Sequence, residues 1–250
     1  MSTNQGIWSE VAIAGHACDS YQPPSPSEFG LTVLYLHGER QAKLRDHPPF
    51  VNELDRYGLR ALCPAAGRSW WTDRICPEFD CEVSAEQFVV GSVARFLRDQ
   101  WKAAPPQIAL LGTGMGGQGA LRMAYRHPEQ FPIVAAIAPT IDFHRRLEEG
   151  DRWLSQMFGD PERARQDTAT LHIHPLNWPR HQWFCCAPTD FVRHESAERL
   201  RMKLFSLGVP HECDLETSFG DDCWSYYEHM APTAMAFLHD RLERERLRVV

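Results

Sequence analysis

The chain has 250 residues, 24% of them charged and 43% hydrophobic, with a formal net charge of −7. That length suits one large α/β domain, 1–250, with a full core, and the composition is ordinary for a globular protein. The acidic balance speaks against a nucleic-acid partner, and no apolar run of about 18 residues or more exists to form a transmembrane helix.

The opening Met1-Ser2-Thr3-Asn4-Gln5 lacks the basic start and apolar stretch of a secretory signal, so a cytoplasmic location and no membrane partner are expected. Strand-like and helix-like patterns then alternate. Residues 11–14 read as a first strand. Residues 31–36 are a continuous apolar run, as in a strand buried on both faces. Residues 49–57 read as a helix and 59–63 as a strand. Ser84 followed by Gln87 is a capping box, opening a helix whose apolar face is Phe88, Val89, Val93, Phe96, Leu97 and Trp101. Residues 108–111 form a strand and 121–126 a helix, ended by His127-Pro128. Residues 133–138 form another buried strand. The polar stretch 143–170 reads as an irregular excursion over the sheet. A strand at 183–186, a helix at 195–207, a strand at 212–216 and a helix at 226–247 complete the order. Strands separated by helical crossovers imply a mostly parallel, twisted sheet covered on both faces.

Eight cysteines are scattered without the C-x-x-C spacing of a zinc site: Cys18, Cys63, Cys76, Cys81, Cys185, Cys186, Cys213 and Cys223. Free thiols, several of them buried, are expected. Cys76 and Cys81 flank a short loop and form the one candidate redox pair. His172, His174 and His181 lack a helical ligand pattern and read as loop histidines.

The most informative stretch is 107–120. An apolar run ends in a glycine-rich turn, Gly112-Thr113-Gly114-Met115-Gly116, and a helical pattern follows. This is the strand–turn–helix layout on which a nucleophilic serine is mounted as G-x-S-x-G, but the centre here is Gly114. The same glycines also match G-x-G-x-x-G, with Asp142 23 residues further on, a dinucleotide fingerprint in outline. That fingerprint usually begins its domain, and here it lies mid-chain. Downstream, Asp190 follows the strand at 183–186, as an acid of a nucleophile–acid–histidine chain order would; a helix-capping aspartate is the plainer reading. The loop before the last helix, Ser218-Phe219-Gly220-Asp221-Asp222-Cys223-Trp224-Ser225-Tyr226, contains no histidine. His229 is the closest, about two turns into the helix.

With these parts in place, the chain resembles a bacterial α/β-hydrolase esterase of the esterase D / S-formylglutathione hydrolase type, over roughly residues 7–240. Residues 107–142 resemble that family's Gly-x-Ser-Met-Gly-Gly-x-Gly-Ala-Leu elbow, helix and next strand. Leu36-His37-Gly38 resembles its oxyanion-loop turn, Asp190 its acid, and Gly220–Tyr226 its Gly-Gly-His-Ser/Thr-Trp-x-Tyr loop. The resemblance implies an α/β-hydrolase fold, with Gly114 at the nucleophile position, Asp190 at the acid position and Asp222 at the histidine position. It also implies an oxyanion site of main-chain N–H groups around Gly38, Glu39 and Met115.

Glycine supplies no oxygen to attack a carbonyl. Aspartate at 222 would face Asp190 as a second anion. The primary expectation is therefore an impaired or non-catalytic esterase homologue that keeps a pocket for a small ester or carboxylate-like ligand. An active ester hydrolase with an Asp-based or metal-assisted site is the alternative, because Asp190, Asp221 and Asp222 together would raise one pKa or recruit a cation. Solvated loop acids are the simpler reading, and no metal or cofactor is expected. Thr113, Cys223 and Ser225 are nucleophiles by type but off the template. A third alternative is a partner-binding protein on an inherited hydrolase fold, and a homo-oligomer is compatible with all three. Trp70 and Trp71 either line an apolar pocket at the site's mouth or pack in the core against 143–170. Arg74 either pairs with Asp73 or binds a substrate carboxylate.

Overall fold

The computed structural model describes residues 6–249; the reading of residues 1–5 as lacking a secretory start lies outside them. An antiparallel hairpin of β1 (Ile7–Ile13) and β2 (His16–Gln22) leads the sheet. Its turn is Ala14-Gly15, both at positive φ, as a tight two-residue hairpin requires. Sequence reading found only 11–14 here, because Ala-Gly is a weak turn signal. After the hairpin come β3 (Thr32–Leu36), α1 (Pro48–Tyr57) and β4 (Arg60–Pro64). The eight strands lie in the order β1-β2-β4-β3-β5-β6-β7-β8, where β5 is Ile108–Thr113, β6 Ile133–Ile137, β7 His181–Cys185 and β8 Glu212–Asp214. From β4 onward all pairings are parallel. Every residue of β3, β5 and β6 is buried, which is why these runs are apolar on both faces.

The helix opened by Ser84 runs as α2 (Ala85–Gln87), a π turn (Phe88–Val93) and α3 (Ala94–Trp101). Ser84 Oγ accepts the Gln87 N–H, but the Gln87 side chain bonds Asp73 instead of closing the capping box. Phe88, Val89, Val93 and Leu97 are buried, and Phe96 and Trp101 pack at the edge of the core. After β5 comes α4 (Met115–Arg126), buried along all but its last residue.

The excursion is not irregular. It holds α5 (Phe143–Glu148), α6 (Arg152–Phe158) and α7 (Pro161–Gln166). Asp151 and Asp160 cap the last two through their side chains, and Pro161 starts α7 in a favourable first-turn position. These caps were legible, but each helix is too short to show a period. The final helices are α8 (Phe191–Ser206) and α9 (Cys223–Val249).

A buried ionic cluster ties these layers together. Arg122 on α4 bonds Glu86 on α2 and Asp167 at the end of α7, the latter at 2.6 Å. Arg126 and His127 also reach Glu86, each at 2.8 Å. All eight cysteines are free thiols, so Cys76 and Cys81 form no disulfide. Burial pushes Cys18 and Cys186 up to about 12, which keeps them protonated and unreactive.

Candidate active site

The parallel strands all end on one side, and ligand sites of such sheets lie beyond those carboxyl ends. There the loops after β3, β5, β6 and β7 converge. Gly114 follows β5 directly, with φ 55° and ψ −116°. Its N–H bonds the Ile137 carbonyl, and its carbonyl accepts from Thr140 and Gln118. Two glycines of the turn have different reasons to be glycine. A Cβ on Gly116 would run into the Leu36 carbonyl at the end of β3. A Cβ on Gly114 would meet only Tyr227 Oη at 3.4 Å and Thr140 Oγ1 at 4.0 Å, ordinary contacts. Space for a side chain exists at 114; the constraint is the backbone alone. Gly114→Ser should therefore cost about 1–3 kcal/mol, seen as a lower melting temperature. An unchanged or higher melting temperature would contradict this.

After β3, His37 is buried, and burial holds its pKa below the usual range. Its Nε2 accepts the Ala66 N–H, so Nδ1 carries the proton and donates to the Gly38 carbonyl at 2.9 Å. The same carbonyl accepts from Gln41 N–H. The Gly38–Glu39 peptide is thereby fixed, and its N–H end points away from that carbonyl. Met115, first residue of α4, has one of the N–H groups a helix start leaves free. Gly38, Glu39, Gly114 and Met115 line one cleft of about 130 Å³.

Trp70 and Trp71 do not line it. Both are fully buried and at positive φ, a strained conformation held by surrounding packing. Trp70 meets Phe143 edge-on at 5.4 Å, and Trp71 donates to the His37 carbonyl at 3.1 Å. Trp70 packs in the core against Phe143 of the 143–170 segment, whereas Trp71 packs in the core against His37. Arg74 lies over the Phe158 ring, while Asp73 bonds Ser84 and Gln87, so the Arg74–Asp73 pair is not formed.

Asp190 caps α8 by accepting the Arg193 N–H, and its other oxygen takes Arg193 Nη1 at 2.7 Å. Arg193 Nε donates to Thr140 Oγ1 at 2.9 Å. A guanidinium thus bridges Asp190 and the wall facing Gly114. Burial disfavours its charge, but Tyr227 and Asp190 outweigh that, so its proton is held more firmly than usual. Asp222 does not face Asp190 as a bare anion. It caps α9, accepting from Trp224 and Ser225 N–H at 2.8 and 3.0 Å and from Ser225 Oγ at 2.6 Å, bonds that hold its pKa down. Thr113 Oγ1 is bonded to Tyr35 Oη at 3.0 Å. Cys223 sits at the cleft's edge. His229 stacks on Phe219. Of the three histidines read as loop residues, His172 bonds Asp167, His181 opens β7 against Glu245, and His174 lies in a turn with Asn177. Asp142 is paired with Arg199 on α8. Among the described residues no three His, Cys, Asp or Glu side chains converge as metal ligands, and no helix is long and apolar enough to cross a membrane.

Arg193, Thr140 and Tyr227 were not singled out in the sequence. The available signal was the Asp190-x-x-Arg193 spacing at a helix start, obscured by placing that helix at 195. A second cavity of about 540 Å³ adjoins the first and shares Arg193, Cys223 and Tyr227 with it.

The strand order and the glycine turn leading into α4 define an esterase-like α/β-hydrolase. A family model described as "Putative esterase" matches residues 63–190, and the chain belongs to that family. No curated protein matches the sequence. Among solved structures, the chain is similar to FphF, a fluorophosphonate-binding serine hydrolase of Staphylococcus aureus (TM-score 0.76, 12% identity, 94% of this chain and 99% of that one). It is also similar to an S-formylglutathione hydrolase from Agrobacterium tumefaciens (0.67, 15%, 97% and 98%) and to MPT51 of Mycobacterium tuberculosis (0.70, 18%, 93% and 98%). At these identities the likeness is one of fold.

Proposed function

We propose that this chain is an esterase homologue that has lost serine-hydrolase chemistry and keeps a carbonyl- or carboxylate-binding cleft. The observation that carries the reading is Gly114: the centre of the turn has room for a side chain and bears none. In this reading Gly114 stands at the nucleophile position, Asp190 at the acid position and Asp222 at the histidine position. Acyl transfer needs an attacking oxygen or sulfur with a base in reach. Asp222 serves a helix cap and Asp190 serves Arg193, so neither carboxylate is free to activate water. The main-chain donors at Glu39 and Met115 do not depend on the missing side chains, so the cleft still presents N–H groups to an oxygen.

Treatment with a fluorophosphonate, followed by intact mass measurement, tests this. The native chain is expected to gain no adduct, whereas Gly114→Ser combined with Asp222→His and Arg193→Ala provides a hydroxyl with a base in reach and is expected to gain one. A stoichiometric adduct on the native chain would overturn the reading.

A further inference from the structure

The cleft and its larger neighbour differ in character. Glu39, Arg40 and Arg193 line the smaller one, giving two cations against one anion. Glu39 is itself engaged by Arg146 at 3.1 Å. Arg193 spends Nε on Thr140 and Nη1 on Asp190, and its Nη2 has no bond to a described residue. The Arg193 side chain as a whole is 26% exposed. A volume of about 130 Å³ holds a group of roughly four water-sized parts, enough for a carboxylate and the carbon that bears it.

The larger cavity is flanked by apolar side chains that a folded chain has little reason to leave in water. Phe191 is 80% exposed and Phe219 51% exposed, and both line this cavity together with Ala138 and Ala187. Its volume of about 540 Å³ falls within the range of small-molecule pockets. Asp190, Asp221 and Asp222 also line it.

We propose that the joined cavities bind an amphipathic monocarboxylate, its head on Arg193 in the smaller cleft and its apolar tail between Phe191 and Phe219. A guanidinium with open donors favours a carboxylate through charge-assisted hydrogen bonds. Phe191, Val192 and Phe219 favour an alkyl or aryl tail in the larger cavity, and Asp221 and Asp222 in the same lining repel a second negative charge on that tail. The proposal rests on the reading of the site as a non-hydrolysing pocket, since a carboxylate has no ester bond to cleave and is held there as a ligand.

Titration of the native chain with octanoate, octanamide and acetate, followed by calorimetry, tests it. Octanoate is expected to bind saturably, at least about tenfold tighter than either comparator, since the amide lacks the charge and acetate lacks the tail. Arg193→Met should remove the preference for octanoate over octanamide, and Phe191→Ser should weaken octanoate binding without restoring amide binding. Because Arg193→Met frees Asp190, a thermal melt of that variant accompanies it; the native-chain comparison stands without any variant. Equal binding of octanoate and octanamide, or no saturable octanoate binding, overturns the proposal. Turnover of p-nitrophenyl octanoate by the native chain would instead overturn the non-hydrolysing reading, so the two failures are told apart.

Discussion

Replacing Arg122 by methionine is expected to destabilise the protein by about 3–5 kcal/mol, the usual cost of stripping one partner from a buried ion cluster. For a chain of this size that is a fall in melting temperature of roughly 10 °C or more. The Arg122 side chain is 1% exposed and Glu86 4% exposed. Without the guanidinium, Glu86 and Asp167 remain buried as anions, with only Arg126 and His127 left on Glu86. The same cluster sets an acid limit. Burial raises the Glu86 pKa, but the His127 hydrogen bond and the Arg122 charge outweigh it and hold the group at about 2, against an ordinary 4.5. A folded-state value below the unfolded one stabilises at neutral pH, and that contribution fades as pH falls from about 4.5 toward 2. The difference corresponds to about 3 kcal/mol. Melts of both proteins between pH 7 and 3 should show the native chain weakening below about pH 4.5 and Arg122→Met already weak at pH 7. Coincident curves would contradict this account of the cluster.

The second large effect concerns rebuilding a triad. Gly114→Ser with Asp222→His restores the missing residue types but leaves Arg193 bridging Asp190 and Thr140, where an imidazole would have to pair with Asp190. That double variant is expected to hydrolyse p-nitrophenyl acetate weakly. Adding Arg193→Ala frees Asp190 to orient the new histidine and should raise the rate by a further roughly tenfold or more, since triad members act as a unit. If the third substitution left the rate unchanged or lowered it, Arg193 would not be the obstacle. Losing the Asp222 cap costs about 1 kcal/mol, so the variants are compared well below their melting temperatures.

The α/β architecture was legible because β3, β5 and β6 are apolar on both faces and because glycines 112, 114, 116 and 119 mark the turn into α4. Each of those signals is local. The β2 strand was missed because its polar residues, Asp19 and Ser20, are buried by partners distant in sequence: Asp19 pairs with Arg45 and faces Cys63 across β4. The role of Trp70 and Trp71 could not be read from an aromatic pair alone, which serves a pocket or a core equally. Their positive φ and contacts with His37 and Phe143 decide it. Asp190 was legible as a residue but not as an engaged one, since its partner Arg193 lies two residues before the helix that the pattern predicts at 195–207. Asp222 likewise reads as a stray acid until the start of α9 at Cys223 turns it into a cap.

The most direct measurement of the central claim is p-nitrophenyl acetate hydrolysis by the purified native chain beside Asp190→Asn. The rates are expected to equal each other and the uncatalysed background. A native rate above background that Asp190→Asn abolishes would contradict the loss of catalysis and point to a carboxylate-based hydrolase in this cleft.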